Sequence, residues 1–128
     1  MPIVHFNKAT EPASVEDFWV NAAAVRYVQA TPLDQLGKTL LYLVGEGENG
    51  VAVIEPLPKV LESLGHLVET PRHYLGNPAD SGVGMVYIAP SLVSYLRPNT
   101  RGDTAYWYAH FVDGSELHIR HPIPAGFD

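Results

Sequence analysis

The chain contains no cysteine. Disulfides, thiolate metal sites, iron–sulfur clusters and cysteine nucleophiles are therefore excluded. Cations are scarce: 8 Lys and Arg stand against 14 Asp and Glu, a formal net charge of −6. The 8 are scattered, whereas a nucleic-acid binder concentrates basic residues on one face to neutralise phosphates. No apolar run is long enough to span a membrane, and residues 1–10 lack the charged start and apolar block of a secretion signal. The cytoplasm is the expected location, without membrane contact. Catalytic signatures are missing too. Gly82-Val83-Gly84 has no following Lys-Ser/Thr and so makes no phosphate cradle, and no Gly-x-Ser-x-Gly occurs. Glu16, Asp17, Asp103 and Glu116 have no partner that spacing alone can assign as an acid/base pair. No cofactor is expected.

What is present is ordinary globular material. Hydrophobic residues make up 46% of the chain and charged residues 17%, too apolar a mixture for disorder. A length of 128 residues fits a single domain that buries about two thirds of its unfolded surface. Charge is uneven: 8 acidic residues fall in residues 1–64 and 6 in residues 65–128, with 4 basic residues in each half. Five of the 6 histidines lie in the second half, which turns weakly cationic if they protonate.

The strongest pattern is internal. Set Val20 over Ile88, and Val25 meets Val93, Tyr27 meets Tyr95, Val28 meets Leu96, Leu43 meets Phe111 and Val44 meets Val112. A two-residue gap at the turn 45–50 then brings Pro56-Leu57-Pro58 over Pro122-Ile123-Pro124. Residues 18–58 and 86–124 thus read as one β unit written twice. The expected class is α+β, strand-dominated, with a duplicated β-hairpin unit and one amphipathic helix between the copies.

In chain order, residues 2–6 read as an edge strand and residues 7–15 as a polar connection. Residues 24–29 alternate at strand period, with Val25 and Tyr27 on one face and Arg26 and Val28 on the other. Residues 38–44 are apolar on both faces, and residues 51–54 form their hairpin partner. Residues 56–65 read as the helix: prolines in the first turn, Leu57, Val60, Leu61 and Leu64 in one stripe, Gly65 at the end. Residues 66–70 read as a strand and residues 71–84, rich in Gly and Pro, as a long loop. Strands follow at 85–89, 91–97, 104–112 and 115–121, with a turn at 98–102, for about eight strands in all.

Asp113-Gly114 is the strongest hairpin signal. As a two-residue loop it pairs His110 with Leu117, Tyr108 with Ile119, Phe111 with Glu116, Ala109 with His118 and Trp107 with Arg120. His118 and His121 then lie on opposite faces. His110 and His121 share a face about 13 Å apart by strand rise. Metal donors must gather within about 2 Å of one ion, so no metal site is expected. Arg120 is expected over Trp107, contributing about 1 kcal/mol or less. The aromatic patch Tyr106, Trp107, Tyr108 and Phe111 reads first as core and interface. As a base-stacking platform it would need cations, and Arg97, Arg101 and Arg120 are the candidates.

The element order resembles the LytTR-type DNA-binding domain of bacterial response regulators. The likeness rests on Tyr27-Val28-Gln29, the glycine turn at 45–50, the Leu-rich segment 57–64, Arg72-His73-Tyr74-Leu75, and residues 93–119 around Asp113-Gly114. It covers residues 24–120, with residues 76–84 extra. The resemblance implies a mostly β fold that inserts loops into the major groove, with Arg72, His73, Arg97, Arg101 and Arg120 as the contacts to test.

Three functional classes compete. The first is a non-catalytic binding or regulatory module that self-associates, a homodimer or larger, and acts through an edge strand or the aromatic patch on a small molecule or partner. The second is a DNA-binding regulator of the resembled kind. The third is a small enzyme with a pocket under the 71–84 loop, using His73 or His110 as acid/base.

Overall fold

The computed structural model describes residues 3–11, 14–30, 39–46, 50–65, 67–71, 85–101 and 104–120. Among them the strands are β1 (Ile3–Glu11), β2 (Ser14–Asn21), β3 (Val25–Ala30), β4 (Thr39–Leu43), β5 (Val51–Val53), β6 (Val68–Pro71), β7 (Met85–Ile88), β8 (Val93–Arg101), β9 (Thr104–Phe111) and β10 (Glu116–Arg120). One helix, α1 (Leu57–Leu64), and two 3-10 turns, Ala22–Ala24 and Pro90–Leu92, complete them. The protein is thus strand-dominated α+β. Every pairing is antiparallel, in a seven-stranded sheet ordered β2-β1-β5-β4-β3-β7-β6 and a three-stranded sheet ordered β10-β9-β8.

Two cores hold these layers. The first gathers Phe6, Val20, Val25, Val28, Leu41 and Val53 from the large sheet with Val60 of α1. The helix stripe behaves as its spacing predicts: Leu57, Leu61 and Leu64 pack on the same cluster. Pro56 caps the helix start, and Gly65, at φ 64, ends it with its N–H bonded to Leu61 O at 2.9 Å. The second core joins the two sheets. Tyr27, Tyr42, Val86 and Ile88 come from the large sheet, and Phe111, Leu117 and Ile119 from the small one. β4 is covered on both faces, as its apolar run predicts: Leu41 enters the first core and Tyr42 the second.

Several sequence expectations are corrected. β1 and β2 form one long hairpin where a short strand and a polar connection were expected. Its inner face carries Phe6 and Val20, and His5 and Asp17 stay in the ladder because the outer face meets solvent. In β3 a bulge between Val25 and Tyr27 resets the alternation. Val25 therefore shares a core with Val28, while Tyr27 faces the other way. β8 runs through Pro98, expected as a turn. It is an edge strand, where a missing N–H is tolerated.

The Asp113-Gly114 loop holds three residues, not two. Phe111 N–H bonds Ser115 O at 2.8 Å, Gly114 N–H bonds Phe111 O at 3.0 Å, and Gly114 sits at φ 90. That is a tight turn closed by a left-handed glycine, and it moves the β9–β10 pairing by one residue. His110 now stands opposite Glu116, Ala109 opposite Leu117, Tyr108 opposite His118, and Trp107 opposite Ile119.

The early and late ladders share local geometry. Val25 faces Leu43, a bulge follows, and Tyr27 faces Tyr42. Val93 faces Phe111, a bulge follows, and Tyr95 faces His110. A 3-10 turn precedes each first strand. Val44 N–H bonds Ala24 O and Val112 N–H bonds Leu92 O, both at 2.9 Å. Upstream, Val4 faces Val20 and Val68 faces Ile88.

Candidate functional site

The shifted register builds the site. β9 sends Phe111 into the second core, with Trp107 packed on it and Ala109 buried on the same side, and β10 sends Leu117 and Ile119 there. Alternation then leaves Tyr108, His110, Glu116 and His118 on the opposite, outer face. β8 adds Tyr95 opposite His110 and Arg97 opposite Tyr108. Two rows cross the three strands: Tyr95–His110–Glu116 and Arg97–Tyr108–His118.

These side chains touch along and between the rows. Tyr95 stacks on His110 with ring centroids 4.3 Å apart and planes 15° apart. Tyr108 meets His118 edge-on at 4.6 Å. Arg97 Cζ lies 4.3 Å from the Tyr108 ring centre, a contact contributing about 0.5–1 kcal/mol at an exposed site. Glu116 stands between the histidines, 3.7 Å from His110 Nε2 and 3.6 Å from His118 Nε2. Both distances exceed a hydrogen bond. His110 Nε2 is buried without a hydrogen-bond partner among the described residues. Tyr95 is 55% exposed. Among the described residues no three His, Asp or Glu converge closely enough to hold a metal ion.

A second polar cluster is structural. Arg26 is 1% exposed, at the bulge near the start of β3. Its Nε donates to Leu43 O at 3.0 Å and lies 3.5 Å from Asp113 Oδ2, and its Nη1 donates to Ser115 Oγ. Asp113 also accepts from Gly45 N–H at 2.8 Å, Ser115 N–H at 3.0 Å and Ser115 Oγ at 2.6 Å. Burial alone would raise the Asp113 pKa. The Ser115 hydroxyl, the Gly45 and Ser115 amides and the Arg26 charge outweigh it and hold the carboxyl at about 2. The pair ties the large sheet to the β9–β10 turn.

A third feature lies at the sheet end. β2 is an edge strand, and Trp19 on it is 63% exposed; Ile3 and Val15 of the same hairpin are exposed too. His5 packs on Trp19 at 5.1 Å and bonds Asp17 at 2.8 Å.

The expected site residues divide as follows. Arg72 and His73 lie outside the described residues, as does the 72–84 loop that an acid/base pocket would need. Arg97 is on the outer face over Tyr108. The ladder sets Arg101 opposite Thr104, and Arg120 opposite Tyr106. Arg120 is therefore not across from Trp107, whose partner is Ile119. The four-residue aromatic patch is divided by alternation: Trp107 and Phe111 pack in the core, and Tyr108 is on the outer face. Sequence reasoning missed Tyr95, Glu116 and His118 as neighbours of His110, and missed the Arg26–Asp113 pair. A lone arginine inside the run Val25–Val28 was the available signal for that pair.

No helix among the described residues is long and apolar enough to cross a membrane. Comparison with protein-family models, with curated proteins and with solved structures finds no match to this chain.

Proposed function

We propose that this chain is a non-catalytic binding module built from two copies of one β unit, and that the outer face of β8–β10 is its binding surface. One observation carries the reading. In the early hairpin Tyr27 stacks on Tyr42 at 4.4 Å, and both are buried within the second core. At the corresponding ladder position of the late hairpin Tyr95 stacks on His110 at 4.3 Å, and Tyr95 is exposed. A stacked ring pair seals a core in the early hairpin and lies on the outer face in the late one, where its tyrosine is exposed. Matching bulges, 3-10 turns and closing bonds support the two-copy reading. A face on which Tyr95, Arg97 and Glu116 are exposed and Tyr108, His110 and His118 half-buried combines flat apolar rings with polar edges, as ligand surfaces do.

Self-association belongs to a different surface, the β2 edge. An edge position among the described strands and exposed Trp19 suit pairing with another strand.

Amide chemical-shift mapping tests both parts with three probes: a short oligothymidylate, its duplex with oligoadenylate, and a neutral cello-oligosaccharide. At least one probe is expected to shift β8–β10 resonances around Tyr95, Arg97 and His118. A protein dilution series without probe is expected to shift resonances around Trp19. Probe-induced shifts absent from β8–β10 would defeat the binding reading, and dilution shifts absent around Trp19 would defeat the self-association reading.

A further inference from the structure

Resting on that binding reading, we infer that the ligand of the β8–β10 face is single-stranded nucleic acid. The chain is acidic overall, and the cations of the small sheet are all arginines. Of its five arginines, three stand on this sheet: Arg97 and Arg101 on β8 and Arg120 on β10. Their ladder positions are in phase: Arg97 opposite Tyr108, Arg101 opposite Thr104, and Arg120 opposite Tyr106, two residues along β9 from Tyr108. Glu116 is the one carboxylate of the outer face among the described residues.

The second ingredient is the ring arrangement. Tyr95 and Tyr108 stand on adjacent strands and in adjacent rows, with His110 between them at 4.3 Å from one ring and 6.1 Å from the other. In-phase residues repeat about every 6.8 Å along a strand, so an extended chain of bases would meet the exposed Tyr95 ring in one row and Arg97, lying over Tyr108, in the next. Bases stack on such rings irrespective of sequence, while arginines follow the phosphates.

The face also discriminates against duplex. A B-form major groove is about 12 Å wide and admits a helix or a two-stranded ribbon. This face is three strands wide, and its tyrosines can stack only on bases that are already unpaired. A neutral oligosaccharide could use the rings but would leave the arginines without anionic partners.

The test is fluorescence anisotropy with a labelled oligothymidylate, run beside its duplex and a labelled cello-oligosaccharide. The single strand is expected to bind at low ionic strength and to weaken as salt rises. Tyr95→Ala should weaken it about tenfold, and Tyr95→Phe should restore it. Arg97→Ala should lower the slope of log affinity against log salt by about 0.7. Thermal melts of each variant check that the fold is kept. No single-strand affinity at low salt, or affinity indifferent to Tyr95→Ala, overturns the inference. Should duplex or oligosaccharide bind in its place and be lost in Tyr95→Ala, the nucleic-acid inference fails and the binding reading stands. Should no probe bind, both fail.

Discussion

Arg26 and Asp113 show how one pair of residues can join two layers. The guanidinium and carboxylate are almost wholly removed from solvent, with side chains 2% and 8% exposed. A charge in that setting is tolerated because every neighbour answers it: two amides, a hydroxyl and a carbonyl. Removing one member strands the other. Asp113→Ala is expected to lower unfolding free energy by about 3 kcal/mol in urea titrations at neutral pH. The pH dependence has a definite sign. The Asp113 pKa is about 2 in the folded chain against a reference of 3.8, so the unfolded chain takes up the proton first. The stabilisation, about 2 kcal/mol by linkage, is present above pH 3.8 and is lost as pH falls through about 2. Between those limits the native chain should lose stability more steeply than Asp113→Asn. Parallel slopes would remove the carboxylate from the account. Neither residue was legible as a pair, since a turn aspartate and a strand arginine far apart in sequence carry no mutual spacing.

At the scale of elements, legibility followed the kind of signal. α1 was readable because stripe, prolines and terminal glycine all agreed. The β9–β10 hairpin was readable as a hairpin but not in register. Asp-Gly suggested a two-residue loop, which would set Phe111 across from Glu116 and His110 across from Leu117. That register pairs apolar with polar residues on each face. Matching Leu117 to Ala109 and Ile119 to Trp107 satisfies both faces and demands the three-residue loop that the structure has. The signal was therefore present in the apolar pattern and was overruled by turn preference. β1–β2 was hidden differently: His5 and Asp17 on its outer face, and Lys8 opposite Glu16 beyond Phe6 on the other, read as a connection until their partners across the ladder are known. The loop itself can be tested. Gly114 sits at φ 90, with open space where a Cβ would point. Gly114→Ala should therefore cost only backbone strain, about 1 kcal/mol, in denaturant unfolding. A neutral substitution would mean that the glycine does not close the turn.

The whole molecule is a stack in which each layer covers the one before it. α1 seals the first core, the small sheet seals the second, and the outer face of the small sheet remains exposed. That face is where polar and aromatic residues replace the aliphatic ones found deeper. Its existence depends on the β9–β10 register, because only that offset aligns His110 with Glu116 and Tyr108 with His118 across from Tyr95 and Arg97. Cross-strand nuclear Overhauser contacts in the labelled protein measure the offset directly. The account predicts backbone contacts between His110 and Glu116 and between Tyr108 and His118. Contacts between His110 and Leu117 and between Tyr108 and Ile119 would contradict it, and the two rows of the proposed surface would no longer exist.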